Sequence, residues 1–386
     1  MVRQVSRIMP APWVTMGAGT GSPESLVAPA SFSSPPAGTI RPAAHFASMI
    51  PAVPSRFRAC HGGGRIGLLA AVLLLSACEG RQSALSPAGE DAAVLSLLFW
   101  VMLTGAVVIF CIMMGLFFYL TRVNVGALPA RYTRLILVGG GIVWPTLTIG
   151  ALLVWGLSIL PDQRQPGDGL RIRVTGEQWW WRVEYFREGS DTPVISANEI
   201  RFPAGQRTEL ELTAGKVIHS LWIPALGGKL DMFPGRETRM SLKPLEPGVY
   251  RGQCAEFCGM SHAWMAFEAV VLPEAEFDAW LAAEEADAKA PATPGAEQGA
   301  EVFAREGCGA CHVIRGTDHV GVVGPDLTHV GSRHTLGAGR LGNTLDDMER
   351  WLAHTGELKP GVEMPTYDHL PDADRRALAL YLKGLE

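Results

Sequence analysis

The stretch Cys254-Ala-Glu-Phe-Cys258-Gly-Met-Ser-His262-Ala-Trp-Met265 places two thiols, an imidazole and a thioether in one short segment, and a second imidazole, His219, precedes it. Sulfur ligands combined with imidazole favour copper or zinc over harder metal ions. A zinc ion would need only the two cysteines and the two histidines, so zinc would leave Met265 without a role. The segment therefore predicts a metal site with copper as the preferred ion.

The second cysteine separates two kinds of copper site. A mononuclear blue-copper site uses one cysteine, two histidines and a weak axial methionine. Two thiolates can instead bridge two copper ions, each bound by one histidine, with the methionine and a backbone carbonyl filling the remaining positions. The alternative is a disulfide between Cys254 and Cys258 in an oxidising compartment, with the histidines and the methionine packed nearby.

The sequence around this cluster predicts a β domain. Between residues 170 and 272, short alternating runs are broken by Gly and Pro, which is typical of a β sandwich or barrel. We predict strands over Leu170–Val174, Trp179–Tyr185, Thr208–Thr213, Glu237–Leu242, Tyr250–Gln253 and Met265–Leu272. Apolar residues at helical spacing then predict a helix over Glu274–Ala286 that closes the domain.

Two uncharged runs upstream, 92–120 and 135–160, are both longer than the ~20 residues needed to cross a bilayer. They predict a transmembrane hairpin over residues 85–165. The connection between them carries Arg122, Arg131 and Arg134 and no acid. The positive-inside rule therefore predicts that this connection is cytoplasmic and that the C-terminal half lies outside the cytoplasm.

The N-terminal region is expected to contribute no folded domain. Residues 1–64 are predicted to be a disordered extension or sequence upstream of the true start. Residues 65–78 predict a signal peptide whose end, Leu75-Ser-Ala-Cys78, resembles a bacterial lipoprotein cleavage box with Cys78 as the lipidated residue. An ordinary cleavage site followed by a chance cysteine is the alternative.

Composition limits the class of protein. The 386 residues exceed what one hydrophobic core usually supports, which predicts several folded units. A net charge of −5 gives no electrostatic reason to expect nucleic-acid binding. Seven cysteines, unevenly placed, exclude a small disulfide-stabilised scaffold.

A second motif follows a predicted linker at residues 288–295. Gly307-Cys308-Gly-Ala-Cys311-His312 is a C-x-x-C-H sequence, in which both thiols can form thioethers to haem and His312 can bind the iron. A thioredoxin-like pair or a chance match is the alternative. Met364, in a loop before Pro365, is the predicted sixth ligand of the iron, whereas Met348 is predicted to be a core residue.

Helices are predicted around this motif over Glu297–Arg305, Leu345–His354 and Asp372–Leu382. Histidines compete with Met364 for the iron in principle, although most are expected on the surface: His319, His329, His334, His354 and His369.

Four motifs of the β domain stand out together: Gln178-Trp-Trp-Trp181, His219-Ser-Leu-Trp-Ile-Pro224, Lys229-Leu-Asp-Met-Phe-Pro-Gly-Arg236 and Gly252-Gln-Cys-Ala-Glu-Phe-Cys-Gly259. With the hairpin, over about residues 85–285, they closely resemble subunit II of the haem-copper cytochrome c oxidases. The resemblance implies a Greek-key cupredoxin domain over residues 168–287 with a binuclear copper A centre. It also implies that electrons enter at Trp179.

The resemblance further implies the ligands. Those of copper A would be His219, Cys254, Cys258, His262, Met265 and the main-chain carbonyl of Glu256. The side chain of Glu256 would reach a magnesium ion shared with subunit I.

Residues 296–386 resemble an all-α class I cytochrome c domain, in which the Pro325 carbonyl braces the haem histidine. The whole chain resembles subunit II of the caa-type oxidases, which carries its own cytochrome c. This implies transfer of electrons from cytochrome c or another periplasmic donor, through haem c and copper A, to subunit I, where oxygen is reduced to water with proton translocation. The implied location is the bacterial inner membrane, beside subunits I and III.

Two departures from the family pattern stand out. Glu177 replaces a histidine that often precedes the glutamine, and the second span lacks the glutamate that serves proton uptake in many members.

Other classes of protein remain open. The chain has copper ligands that the related quinol oxidases lack, and it lacks the large catalytic domain of nitrous oxide reductase. A membrane protein that handles copper or electrons without an oxidase partner is the main alternative.

Overall fold

The computed structural model describes residues 80–123, 126, 129–160 and 164–386. The predicted extension at 1–64 and the predicted signal peptide at 65–78, with Cys78, lie outside the described residues. Two long helices, a β sandwich and a helical domain follow one another along the described chain, which confirms the predicted fold class.

The first helix, α1, spans Glu90–Arg122. The second begins as α2 (Ala130–Arg134), continues as a π-helix over Leu135–Val143 and ends as α3 (Trp144–Ile159). Both helices are long and apolar enough to cross a membrane, with mean hydropathies of 2.6 and 1.9 in their most apolar windows. Their apolar side chains are largely exposed in the isolated chain, as expected for surfaces that meet lipid or partner helices.

The first turn of α1 is fixed to the β domain by a buried ion pair. Nη1 of Arg207 lies 3.2 Å from Oδ1 of Asp91, and both side chains are nearly inaccessible to solvent. The other carboxylate oxygen of Asp91 accepts the backbone N–H of Lys243 at 3.0 Å. A buried carboxylate needs such partners because unpaired charge is costly to desolvate. The membrane hairpin therefore meets the β domain at the N-terminal end of α1.

The β domain has two five-stranded sheets. Their strands are β1 (Arg171–Gly176), β2 (Trp181–Phe186), β3 (Val194–Ala197), β4 (Glu199–Pro203), β5 (Thr208–Ala214), β6 (His219–Trp222), β7 (Lys229–Met232), β8 (Thr238–Leu242), β9 (Gly248–Cys254) and β10 (Ala266–Leu272). One sheet has the order β3-β2-β1-β5-β8 and the other β4-β10-β9-β6-β7. Each sheet contains one parallel pair, β1 with β5 and β4 with β10.

Alternation along the strands explains the sandwich. In β1, Ile172 and Val174 are fully buried between the sheets, while Arg171 and Arg173 at the alternate positions are only partly buried. Trp181 and Phe267 meet edge to face across the core, with ring centroids 5.2 Å apart. The sequence missed β3, β4, β6 and β7, which are four or five residues long and carry too few alternations to be recognised.

Helix α4 (Glu274–Glu285) closes the sandwich, and its Trp280 ring lies 5.2 Å from that of Tyr185. The helical domain then contains α5 (Pro294–Arg305), α6 (Leu345–Ala353), α7 (Thr355–Leu358) and α8 (Asp372–Gly384). Helix α5 begins inside the segment predicted as a linker. Thr293 caps it by accepting the N–H of Ala296, and a proline occupies its first turn.

Helices α5 and α8 cross in van der Waals contact at Gly299. A Cβ atom at this position would lie 2.0 Å from the backbone oxygen of Ala377. Phe303 and Tyr381 extend the same contact, with ring centroids 5.8 Å apart. The close crossing depends on the absence of a side chain at position 299.

We therefore expect Gly299→Ala to destabilise the helical domain by about 2 kcal/mol or more, because the helices must separate. Gly384→Ala is the matched control, since a Cβ there meets nothing within 4 Å. Denaturant unfolding of the full chain, followed by absorbance of the haem expected at the C-x-x-C-H motif, measures both. Equal stability of the two variants would contradict the proposed crossing constraint.

Candidate copper and haem sites

The sulfur and imidazole groups converge where three strands of one sheet end. His219 begins β6, Cys254 ends β9, and Met265 immediately precedes β10. The antiparallel register places Leu221 opposite Cys254, and Ala266 opposite the residue before Cys254. The loop from β9 to β10 folds back, so its own Cys258 and His262 reach the same place.

The five side chains form one chain of contacts. Sγ of Cys254 lies 3.7 Å from Nδ1 of His219 and 3.8 Å from Sγ of Cys258. Sγ of Cys258 lies 3.5 Å from Nδ1 of His262 and 3.8 Å from Sδ of Met265. Each thiol is thus paired with one imidazole, and the thioether lies beside the second thiol.

The cluster is buried and chemically suited to a soft metal. The ligand atoms of His219, Cys254 and Cys258 lie within 4.8 Å of one another. The hydrogen bond from Cys258 lowers the pKa of the Cys254 thiol, and the contact with His219 acts in the same direction against the effect of burial. A thiolate is the form that binds metals. The sulfur atoms are too far apart for a disulfide, whose S–S bond is about 2 Å long.

Glu256 contributes differently through its backbone and its side chain. Its carbonyl oxygen lies 3.2 Å from Sγ of Cys254 and faces the cluster. Its side chain is half-buried and accepts the N–H of Phe257 at 3.3 Å. Among the described residues, no cluster of carboxylates lies close enough to this side chain to complete a magnesium site.

Trp179 lies between the cluster and the helical domain. Its Nε1 donates a hydrogen bond of 3.0 Å to the carbonyl of Cys258, and Nε2 of Gln178 donates to the same oxygen at 3.0 Å. The ring is only 6% exposed and lines a cavity in the helical domain. One aromatic side chain therefore touches both candidate sites.

That cavity contains the C-x-x-C-H motif. Cys308, Cys311, His312 and Met364 line it together with apolar side chains from α5, α6 and α8. Nδ1 of His312 donates a hydrogen bond of 2.8 Å to the Pro325 carbonyl, which orients the ring and leaves Nε2 as the free ligand atom. Burial lowers the pKa of His312 and so favours the neutral ring, which is the form that binds iron.

The two cysteines of the motif are free, and Cys308 is the more buried. Burial raises the pKa of the Cys308 thiol, whose Sγ lies 3.9 Å from the Tyr367 hydroxyl. Cys308 therefore lies inside the cavity and Cys311 at its exposed edge, so both thiols border the same space.

Two methionines line the cavity, Met364 from its loop and Met348 from α6. The competing histidines are not among the cavity's described lining residues. They contact other groups: His319 the Phe303 ring, His329 the Ala286 carbonyl, His334 Glu199, His354 Glu357 and His369 Glu306.

Sequence reasoning missed several residues around these sites, namely Gln178, Ser261, Lys359 and Tyr367. Each acts through a partner distant in sequence, such as the Pro360 carbonyl for Ser261. The sequence offered no signal for Lys359, because only the fold shows that it is 1% exposed.

Comparison with known proteins gives a consistent result. The sequence profile of the family described as cytochrome c oxidase subunit II, periplasmic domain, matches residues 170–272, and that of cytochrome c matches residues 296–386. A protein from Alkalihalophilus pseudofirmus called cytochrome c oxidase subunit 2 is 38% identical over 226 residues, which cover 58% of this chain and 64% of the relative.

A second relative, from Bacillus subtilis and of the same name, is 31% identical over 354 residues, which cover 83% of this chain and 96% of the relative. The solved periplasmic domain of subunit II of cytochrome oxidase from Bradyrhizobium japonicum is 29% identical, and the match covers 31% of this chain and 96% of that domain with a TM-score of 0.28. Because the Bacillus subtilis relative is matched along nearly its whole length, the chain belongs to the cytochrome c oxidase subunit II family and carries a cytochrome c domain at its C-terminal end.

Proposed function

We propose that this chain is the electron-transferring subunit of a haem-copper terminal oxidase of the caa type. It accepts electrons from cytochrome c or another periplasmic donor at its own haem c and passes them through a binuclear copper A centre to subunit I. Reduction of oxygen to water and proton translocation take place in the complex. The observation that carries this proposal is the position of Trp179, which donates a hydrogen bond to the Cys258 carbonyl and lines the proposed haem cavity.

The donor set fits copper A. His219, Cys254, Cys258, His262 and Met265, with the carbonyl of Glu256, would hold the two ions. Copper bound in this way supplies a one-electron redox centre. The protein supplies a dry, fixed environment: His219 is fully buried, and its Nε2 has no partner among the described protein atoms. A fixed shell favours rapid transfer because the ligands need little rearrangement between oxidation states.

The cavity of the helical domain fits a covalently attached haem c. Cys308 and Cys311 would form the thioethers, with His312 and Met364 as axial ligands. The hydrogen bond to Pro325 holds the His312 ring in place. We assign the sixth position to Met364 over Met348 because a loop residue before a proline can turn its thioether towards the iron, whereas Met348 is held within α6.

Trp179 is the proposed residue through which electrons reach copper. Its indole is held by the hydrogen bond to the Cys258 carbonyl, the backbone of a proposed ligand. A second hydrogen bond from Gln178 to the same carbonyl fixes that backbone further. The magnesium ion at Glu256 belongs to the proposed interface with subunit I, which would have to complete its coordination.

The proposed location is the bacterial inner membrane, with the hairpin spanning it and both redox domains on the periplasmic side, beside subunits I and III. Support comes from the arginines between the two helices, and from the contact of the β domain with the N-terminal end of α1. Haem attachment through a C-x-x-C-H motif also takes place outside the bacterial cytoplasm. We expect no nucleic-acid partner.

Low-temperature EPR of the full chain, made in a host with haem c maturation and loaded with copper, tests the proposal. We expect the mixed-valence signal of one unpaired electron shared by two equivalent copper ions. A four-line single-copper signal, or none despite attached haem, would instead favour a membrane-bound cytochrome that handles electrons without an oxidase partner.

Met265→Leu should alter the copper EPR and optical spectra and slow electron transfer from haem to copper, because the thioether is lost. The haem spectrum should be unchanged. Leucine nearly conserves the volume, so the loss of stability should stay below about 1.5 kcal/mol. Met240→Leu, at a buried core position outside the cluster, is the matched control. Unchanged copper spectra in Met265→Leu would remove this residue from the ligand set.

Met364→Leu should lower the haem reduction potential and change the optical spectrum from that of a six-coordinate haem, since thioether ligation raises the potential. Met348→Leu is the control, because this methionine lines the same cavity. Redox titration with optical detection measures both. If Met348→Leu produced the change and Met364→Leu did not, the axial assignment would move to Met348.

A further inference from the structure

The cytochrome c domain covers the segment that bears the proposed copper ligands. We call residues 258–266 the copper loop. Two segments of the cytochrome c domain, residues 337–340 and 358–361, lie against it, and we call them together the clasp. These contacts join residues far apart in sequence, such as Ser261 and Pro360 with a separation of 99.

The first segment of the clasp meets the end of the copper loop. The N–H of Ala266 donates a hydrogen bond of 3.0 Å to the carbonyl of Ala338. Ala338 is fully buried and packs into the core of the β domain, although it belongs to the cytochrome c domain. Next to it, the guanidinium of Arg340 lies 4.1 Å from the centroid of the Trp264 ring.

The second segment meets the beginning of the copper loop. Oγ of Ser261 donates a hydrogen bond of 2.6 Å to the carbonyl of Pro360, and Ser261 is fully buried. Gly361 packs against the Trp179 ring, and a Cβ atom on this glycine would lie 2.9 Å from the ring. Because Ser261 is buried, the Pro360 carbonyl replaces the water that would otherwise accept this hydrogen bond.

The two segments of the clasp are tied to each other. Nζ of the buried Lys359 donates to the carbonyl of Gly337 at 2.7 Å, and Nε of Arg340 donates to the carbonyl of Leu358 at 2.8 Å. Ala338 has a φ of 60°, in the left-handed region that residues other than glycine rarely adopt. The clasp is therefore a shaped surface within the cytochrome c domain that presents carbonyl groups to the copper loop.

The contacts bracket two proposed ligands. Ser261 directly precedes His262, and Ala266 directly follows Met265. His262 itself is only half-buried and lies in a single 3-10 turn, so its own loop gives it little support. Hydrogen bonds on both sides of the turn restrict its backbone, which is how residues outside a ligand set usually tune a metal site.

We propose that the clasp positions His262 and Met265, so that the cytochrome c domain is part of the scaffold of the copper site as well as its electron donor. Ser261, Ala338 and Lys359 are then positioning residues. This inference rests on the proposed function, because it takes the copper loop to be the site of copper A.

The test compares Ala338→Glu with wild type and with Ala373→Glu in the haem-loaded full chain. Ala338→Glu puts a charge into a buried contact, whereas Ala373 is exposed on α8. Hydrogen–deuterium exchange of the copper-free protein is measured over residues 258–266. We expect the exchange rate of residues 258–266 in Ala338→Glu to be about tenfold or more above that of wild type, since the amide of Ala266 loses its acceptor. The rate in Ala373→Glu should equal that of wild type.

Unchanged exchange at β1 and β5 and an intact haem spectrum show that both domains of the variant are folded. Copper-loaded Ala338→Glu should then give a perturbed copper EPR spectrum, and Ala373→Glu the wild-type spectrum. Equal exchange over 258–266 in all three proteins would overturn the proposal. If wild type gave no two-copper signal, the proposed function would fail, while the exchange data would still decide whether the clasp holds the loop.

Should Ala338→Glu fail to fold, Ser261→Ala serves in its place, because it removes one donor and adds no volume. Its control is Ser332→Ala, which removes a hydrogen bond from a more exposed serine to the carbonyl of His329, within the cytochrome c domain. Faster exchange at residues 258–266 in Ser261→Ala and not in Ser332→Ala is the expected result. The same exchange in both variants would contradict a positioning role for Ser261.

Discussion

The antiparallel pairing of β9 with both of its neighbours is the constraint on which the candidate copper site depends. Cys254 ends β9 opposite Leu221 of β6, while the preceding residue faces Ala266 of β10. The strands therefore bring His219, Cys254 and Met265 to one end of one sheet. A shift of the register by one residue would turn these side chains to the opposite face. Leu221 of β6 and Phe267 of β10 are buried in the sandwich core, and a shifted register would move them out of it. The core therefore fixes the geometry of the ligand cluster.

The cytochrome c domain packs against the same end of the sheet. The fusion of the two domains therefore does more than keep them close together. A flexible tether would raise the local concentration of an electron donor and leave its orientation open. Here the donor domain is held by hydrogen bonds to the copper loop at Ser261 and Ala266, with Trp179 between the two sites. The length of the linker then matters less than the complementarity of the two domain surfaces, because the linker limits only how far the cytochrome c domain can move away from the β domain.

A feature of the fold or of the candidate sites was predictable from the sequence when the residues that form it lie close together in the chain. The fold class and the two cofactors, copper and haem, were predictable, because the cysteine and histidine spacing, the uncharged runs and the C-x-x-C-H motif are local patterns. The individual ligand assignments stay predictions. The short strands β3, β4, β6 and β7 were missed, since four or five residues give little periodicity and their pairing comes from tertiary contacts. Residues 288–295 looked like a linker by composition, although Thr293 and Pro294 already start a helix. Nothing local to Lys359 or Ser261 indicates a partner.

The interface between the domains is hard to recognise in sequence for a further reason, which is that many of its acceptors are backbone carbonyls, although His334 and Lys216 pair with the carboxylates of Glu199 and Glu363. Arg182 donates to the carbonyl of Val322 at 2.9 Å, and Arg315 donates to the carbonyls of Ile195 and Glu284. A carbonyl is present whatever side chain the residue has, so its position depends on the path of the loop rather than on a motif. Such contacts are directional, and they fix orientation more firmly than an apolar patch of equal area would. An interface built in this way suits electron transfer, in which the relative placement of two centres matters more than the strength with which two domains adhere.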